Sequence, residues 1–330
     1  MMIARAVILA VPTCDDRPWS SAASTPKPLV PVATKPILFH TLDALRAAGI
    51  VDALLLTRPD AMVAFRDAVG DGSRWGMRVS YSPNAANPDV RDALGVASEF
   101  IGGEPVIVHQ ADALLRACLR DHMLRFAEQD LDALALMLAP ARLPRPIKPL
   151  VGGYLLNARA IASMCDGPAA SDPLSRLRRQ GGHARALEVE GCLACHGDEA
   201  TLLEANRHAL AGLRTEVTDA ILEGCEIQGN VVVHPTASLR NTLIRGPAII
   251  GADSLVVDSY VGPYTSIGAN TRIEGTEIEH SIVMDGAKLM FVGSRLETSI
   301  IGRGASIVRR FDMPRAVRMS IGDGAEVALS

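Results

Sequence analysis

Lysine is nearly absent from this chain: four residues, at 27, 35, 148 and 288, stand against twenty-nine arginines. A genome-wide coding bias accounts for such an imbalance more readily than a functional preference for arginine. It still singles out Lys27 and Lys35, eight residues apart. The chain also lacks any block of like charges, and its net charge is −4. A nucleic-acid face needs a concentrated basic stripe, so that class of partner is not expected. No stretch approaches the roughly 18 apolar residues of a membrane span. The first apolar run is too short for a signal peptide, and Asp15, Asp16 and Arg17 follow at once, so a cytoplasmic location is expected. The six cysteines (14, 118, 165, 192, 195 and 225) are mostly scattered, which suits reduced thiols rather than a disulfide framework.

What is present is a soluble, globular composition: 48% hydrophobic and 21% charged residues, over a length that favours two domains. The chain opens on Ala6-Val7-Ile8-Leu9-Ala10-Val11, a β-branched apolar run closed by Pro12 that reads as a buried parallel strand. Its following loop is delivered to the ligand crevice of an α/β sheet. The spacing then predicts a helix from Ile37 to Gly49, a strand at 53–56, a helix at 61–69 and a strand at 77–81. A helix at 90–100, a strand at 105–109 and a further strand at 151–156 complete the first part. Such alternation belongs to βαβ units and a parallel sheet. Pro140 to Pro149 holds four prolines and breaks the pattern. Thr201 to Leu213 is an amphipathic helix with Leu202, Leu203, Leu210 and Leu213 on one face.

Beyond that helix every sixth residue is small and apolar: Val231, Ala237, Leu243, Ile249, Leu255, Val261, Ile267 and Ile273. Eight consecutive hits match hexapeptide repeats of a parallel β-helix, in which each hexad forms one flat side. The register slips near Glu279 and resumes with Val283, Leu289, Ile301 and Ile307, while Arg295 in an interior slot predicts a bulge or outward loop.

Several ordered segments carry a resemblance. They are Pro-Lys-Pro-Leu-Val-Pro-Val-Ala-Thr-Lys-Pro (26–36), Gly-Asp-Gly-Ser-Arg-Trp-Gly-Met-Arg-Val-Ser-Tyr (70–81) and Leu-Leu-Glu-Ala-Asn-Arg (202–207). In the hexad region they are Arg-Gly-Pro-Ala-Ile-Ile-Gly (245–251), Tyr-Val-Gly-Pro-Tyr-Thr-Ser-Ile-Gly (260–268) and Glu-Ile-Glu-His-Ser-Ile-Val (277–283). Together they resemble the long form of the glucose-1-phosphate thymidylyltransferase family, within the sugar-1-phosphate nucleotidyltransferases. The resemblance implies a Rossmann-like α/β nucleotidyltransferase domain (1–200), a connecting helix and linker (201–226), a left-handed parallel β-helix (227–312) and a tail (313–330). It implies a Mg²⁺-dependent attack of a sugar-1-phosphate on a nucleoside triphosphate with loss of pyrophosphate, a reaction driven by positioning and charge neutralisation. A homo-oligomer, or a hetero-oligomer with an active homologue, is the expected assembly.

Matched to the family's motifs, the positions that perform chemistry depart. The Gly-Gly-x-Gly-Thr-Arg loop is here Val11-Pro12-Thr13-Cys14-Asp15-Asp16-Arg17, with no glycine and two carboxylates facing a triphosphate. Arg17 stands for the family's arginine only with one inserted residue; Lys27 matches its phosphate-binding lysine. The base-recognition segment becomes Asn84-Ala85-Ala86-Asn87-Pro88-Asp89-Val90-Arg91, with Asn84 for a glutamine and Asp89 for a close-approach glycine. Val11, Pro12, Asn84 and Asp89 are thus vestigial nucleotide positions. Leu-Gly-Asp becomes Gln110-Ala111-Asp112, which retains one metal aspartate, while the second metal position holds Cys195, a soft ligand poorly suited to Mg²⁺. The proline-rich 140–149 piece replaces the family's hairpin and its Glu-Lys-Pro sugar contact. The expectation is a homologue of lost or reduced activity that needs no cofactor. The alternative is a working enzyme of altered specificity using Mg²⁺, Lys27, Asp112 and Arg17.

Three further signals have plainer readings beside them. Cys192-Leu193-Ala194-Cys195-His196 has the spacing of a haem attachment or half a zinc site, or is a pair of reduced thiols. Asp112 at a strand end is a metal ligand or a loop anchor. Hexad domains also serve acyltransferases, whose histidine base would be His234 or His280.

Overall fold

The computed structural model describes residues 3–10, 25–84, 90–115, 118–139, 150–166, 173–193, 199–217 and 220–309. Strand β1 (Arg5–Ala10) is its axis: Ala6, Val7 and Ile8 are fully buried, and their side chains feed two separate cores. Alternate residues of a strand face opposite sides. Ala6 and Ile8 therefore meet one layer of helices, and Val7 and Leu9 the other. The first layer comprises α1 (Ile37–Ala47), α2 (Met62–Val69) and α5 (Leu119–Glu128). The second holds α3 (Val90–Val96), α4 (Ser98–Ile101), α6 (Ala158–Cys165) and α7 (Pro173–Arg179).

Between them lies an eight-stranded sheet. In chain order its other strands are β4 (Asp52–Thr57), β5 (Arg78–Pro83), β6 (Val106–Gln110), β7 (Ala113–Leu115), β8 (Ala133–Ala139), β9 (Leu150–Leu156) and β10 (Ala184–Leu193). A two-stranded hairpin, β2 (Pro31–Val32) with β3 (Lys35–Pro36), stands apart. The sheet order is β5-β4-β1-β6-β9-β8-β10-β7. The first four strands are parallel, as the alternation predicts. The far half is not: β9 runs antiparallel to both β6 and β8, and β7 antiparallel to β10. This corrects the all-parallel expectation. Strand β8 is Ala-Leu-Ala-Leu-Met-Leu-Ala, a composition with more helix than strand preference, so pairing rather than propensity decides it. In β9, Gly153 lets the strand lie close to β6, since a Cβ there would meet the Val108 carbonyl oxygen at 2.8 Å.

The C-terminal part is the expected parallel β-helix of three sheets, with six, six and five strands. Through residue 277 its coil is seventeen residues, not three hexads: Glu226, Leu243, Tyr260 and Glu277 stack in register, as do Ile221, Ser238, Leu255 and Arg272; the next coil takes sixteen, Arg272 to Lys288. The strict period of six therefore drifts. Val231, Ala237, Val261, Ile267 and Ile273 fill the interior as expected, but Leu243, Ile249 and Leu255 are only half buried. Ile244, Ile250 and Val256 take the interior positions instead. Arg295 does turn outward, paired with Glu277 and Glu279, and Leu296 takes the place beside Ile278. One corner of the coil is a column of left-handed residues, Gly224, Asn241, Asp258 and Gly275, with φ of 63°, 46°, 49° and 53°. Asn, Asp and Gly adopt this region at least cost. Buried Thr242, Ser259 and Thr276 follow directly and return their hydroxyls to backbone carbonyls.

Helix α8 (Glu199–Leu210) joins the two parts. Leu202 and Ala205 share a core with Val30, Val32 and Ile37 on one side and Ile282 and Met284 on the other. Asn206, fully buried, binds both: its Oδ1 accepts from the Ala33 amide at 2.8 Å and its Nδ2 donates to the Tyr264 carbonyl at 3.0 Å. Ala33 and Thr34 form the β2–β3 turn at φ of 46° and 66°, a turn that favours Asn-Gly. Among the described residues no helix is long and apolar enough to cross a membrane. Replacing Asn206 with alanine leaves the buried Ala33 amide and the half-buried Tyr264 carbonyl without this partner, and should lower the unfolding free energy by about 1–3 kcal/mol in denaturant titration. A loss below about 0.5 kcal/mol would show that the bridge is dispensable.

Candidate functional site

The sheet order reverses at β1, with β4 on one side and β6 on the other. In open α/β sheets the crevice outside the strand ends at such a reversal is where ligands bind. The residues at these carboxyl ends are polar although the strands are apolar. Thr57 ends β4, Asn84 follows β5, Gln110 ends β6, and Asp112 comes two residues later.

Asp112 is buried, 8% exposed, in the corner between β6 and β7. Burial pushes its carboxyl up to about 6, against the opposing pull of its own backbone amide and of Lys27. Lys27, from the short 3₁₀ turn Lys27–Leu29, therefore lies within electrostatic reach of Asp112. Proline at 28 and the Val30 amide bonded to the Lys27 carbonyl at 3.0 Å fix that turn. Thus two of the expected site residues, the phosphate lysine and one metal aspartate, are brought together. Asn84, also buried, lies across β4 at the end of β5, its amide bonded to the Thr57 carbonyl at 2.8 Å. Val11, Pro12, Arg17, Asp89 and Cys195 lie outside the described residues. So do most of the Cys192–His196 motif and the proline-rich 140–149 segment. Strand β10, which leads into that motif, pairs Leu193 with Ala113, the neighbour of Asp112.

Two polar groups escaped the sequence reading. Thr57 Oγ1 and Gln110 Oε1 are buried with no hydrogen-bond partner among the described residues. Buried polar atoms are rarely left unpaired unless a ligand or water completes them. The only signal for them in the sequence is a polar residue ending each apolar run. The candidate acyl-transfer bases do not form a site: His234 is exposed and bonded to Thr236, and His280 stacks on Tyr264 at a turn. Nor does any group of three His, Cys, Asp or Glu side chains among the described residues come close enough to hold a metal. Asp112 is the described carboxylate that could contribute to a Mg²⁺ site, which in nucleotide-handling proteins takes one or two carboxylates together with substrate phosphates.

A nucleotidyl transferase family model matches residues 16–145. A glucose-1-phosphate thymidylyltransferase of Streptomyces griseus is 32% identical over 92% of this chain and 94% of its own. The chain belongs to the glucose-1-phosphate thymidylyltransferase family. A second member, from Streptomyces antibioticus, is 30% identical over 92% of this chain and 93% of its own. The low-salt glycan biosynthesis nucleotidyltransferase Agl11 of Haloferax volcanii is 26% identical over 92% and 94%. In fold, a Bacillus anthracis protein described as a glucose-1-phosphate thymidylyltransferase, crystallised with sucrose, superposes with a TM-score of 0.53. It is 21% identical and covers 62% of this chain and 94% of its own.

The Asp112 carboxyl titrates near 3.8 when free and near 6 when folded. The folded state thus holds this proton more tightly. That contribution to stability is complete below about pH 4 and lost as the pH rises through 6. Asp112→Asn should match the parent near pH 4 and exceed its stability by about 2–3 kcal/mol near pH 8, read by denaturant unfolding at both pH values. No gain near pH 8 would mean that the charge of Asp112 is already compensated in the fold.

Proposed function

We propose that this family member has lost, or nearly lost, the thymidylyltransferase reaction, and that its crevice now serves a binding or regulatory role. The observation that carries this reading is the segment following β1 at the sheet's reversal. There Val11 to Arg17 offers no glycine, a proline without an amide proton, and Asp15 and Asp16. At about 4 Å, each carboxylate would oppose a phosphate charge by about 1 kcal/mol in water and by several in a partly dry site. Cys195 at the second metal position and the replacement of the Glu-Lys-Pro sugar contact act in the same direction. A regulatory or assembly partner of an active homologue, or a receptor for a different ligand, fits a scaffold retained while its chemical groups changed.

A second reading has its own support. Lys27 and Asp112 are held together at the reversal point, and Thr57 and Gln110 present unpaired polar atoms. An enzyme of altered specificity would use these with Arg17 and Mg²⁺.

A thermal-shift panel of nucleoside triphosphates and sugar nucleotides, with and without Mg²⁺, separates the two readings. The first expects no Mg²⁺-dependent rise with dTTP and no dTDP-glucose from dTTP and glucose-1-phosphate. A clear Mg²⁺-dependent rise with dTTP would overturn it. A rise with another triphosphate that disappears in Asp112→Ala would establish the second.

A further inference from the structure

A second cavity, of about 250 Å³, lies between α1, the β6–β7 corner and the C-terminal end of α8. Its lining includes neither Lys27 nor Asp112. Three imidazoles from three different elements share its wall: His40 from α1, His109 from β6 and His208 from α8. Ala44, Leu114 and Leu115 supply apolar surface, and no Lys, Arg, Asp or Glu is among its described lining residues.

Two of the rings are fixed by backbone carbonyls. His40 Nε2 lies 3.1 Å from the Val32 oxygen, and His109 Nδ1 lies 2.6 Å from the Gln110 oxygen. A carbonyl oxygen can only accept, so each of these nitrogens carries the proton. The opposite nitrogens, Nδ1 of His40 and Nε2 of His109, are therefore lone-pair acceptors when the rings are neutral. No hydrogen bond among the described residues engages either. His109 is only 1% exposed, so its acceptor has been taken out of bulk water.

Burial keeps both rings neutral. It lowers the His40 and His109 pKa values to about 4, with Lys35 adding to the effect on His40. Asp43 acts on His40 in the opposite direction and His208 in the same direction as Lys35. Neutral acceptors in an uncharged wall select a ligand by what it donates. An anion would find no cation here, and an organic cation no carboxylate. The described side chains also do not converge tightly enough for a metal ion. Hydroxyl groups satisfy the acceptors, while the C–H faces of a small ring suit alanine and leucine. The volume is below the roughly 300–1,000 Å³ of pockets that hold drug-sized molecules.

We propose that this cavity is a binding site for a small uncharged polyol, of the size of a single hexose. Its hydroxyls donate to His40 Nδ1 and His109 Nε2, and its ring packs on Ala44, Leu114 and Leu115. The site stands independently of whether the crevice at β1 is catalytic. It is placed to influence that crevice, because Ala113 belongs to its wall and adjoins Asp112. It also adjoins the junction of the two parts of the chain, because α8 carries both His208 and Asn206.

The test is a titration of the ¹⁵N-labelled full chain, following the imidazole nitrogens by NMR with D-glucose, inorganic phosphate and Zn²⁺ added separately. D-Glucose at millimolar concentration should move the His40 and His109 ring signals. Ala209→Leu, which fills the cavity and leaves all three histidines in place, should abolish the response; Ala44→Val makes the same test if that variant does not fold. Silence towards D-glucose up to its solubility would overturn the proposal. So would a response to phosphate or Zn²⁺ in place of D-glucose, or an unchanged D-glucose response in the filled cavity.

Discussion

The carboxamide of Asn206 touches three parts of the chain at once. It belongs to α8, holds the Ala33 amide in the hairpin after Lys27, and binds the Tyr264 carbonyl in the β-helix. The bond from Ala33 is buried and the one to Tyr264 partly so, and hydrogen bonds of this kind are expensive to leave unmade. The hairpin needs such an anchor, because Ala33 and Thr34 carry positive φ angles that their side chains disfavour. The 3₁₀ turn of Lys27 is four residues before that hairpin. The position of the one lysine at the crevice thus depends on a contact made with the other half of the molecule. This gives the β-helix a physical connection to the ligand crevice without contributing a residue to it.

At the crevice, the sheet's reversal brings Lys27 and Asp112 together. Asp112 sits where burial works against its charge, and its own backbone amide and Lys27 offset that in part. Thr57 Oγ1 and Gln110 Oε1 form a polar edge there, buried with no hydrogen-bond partner among the described residues. Such groups are costly unless something binds them, so the crevice retains the character of a binding site.

Much of this was legible in the residues. The buried run at β1, the helix–strand alternation up to β6, and the small apolar periodicity beyond residue 231 all follow from side-chain spacing. The Lys27–Asp112 pair came from matching motifs, and the sheet reversal explains why residues 85 apart in sequence meet. What resisted reading depended on pairing. Strand β8 carries no β-branched residue and does not announce itself as strand, whereas β9 is expected at 151–156 despite its two glycines, though not its direction. Their antiparallel insertion is set by neighbours rather than by local preference. Asn206 lies in the matched segment 202–207 of the expected helix, but nothing local says that both helix faces are covered. The three cavity histidines are far apart in sequence and share no motif. The drift of the hexads was visible at 241, 258 and 275, where Asn-Thr, Asp-Ser and Gly-Thr recur at intervals of seventeen.

That interval governs how the β-helix can change length. A coil contributes one residue to each stacked column, including the left-handed corner of Gly224, Asn241, Asp258 and Gly275. Removing or adding one whole coil moves every later residue to the equivalent place one level away, and its side chain keeps its direction. Coils of sixteen and eighteen residues also occur, and the columns hold there: Ile273 stacks on Leu289 and Ile278 on Leu296. The stack is therefore modular in its height, and its unit is the complete coil rather than the hexad. The exceptions prove instructive: where Arg295 turns outward the columns advance by eighteen, and the extra residue is absorbed on the outside. Growth or loss at this end of the molecule proceeds by storeys, while the junction at Asn206 stays where it is.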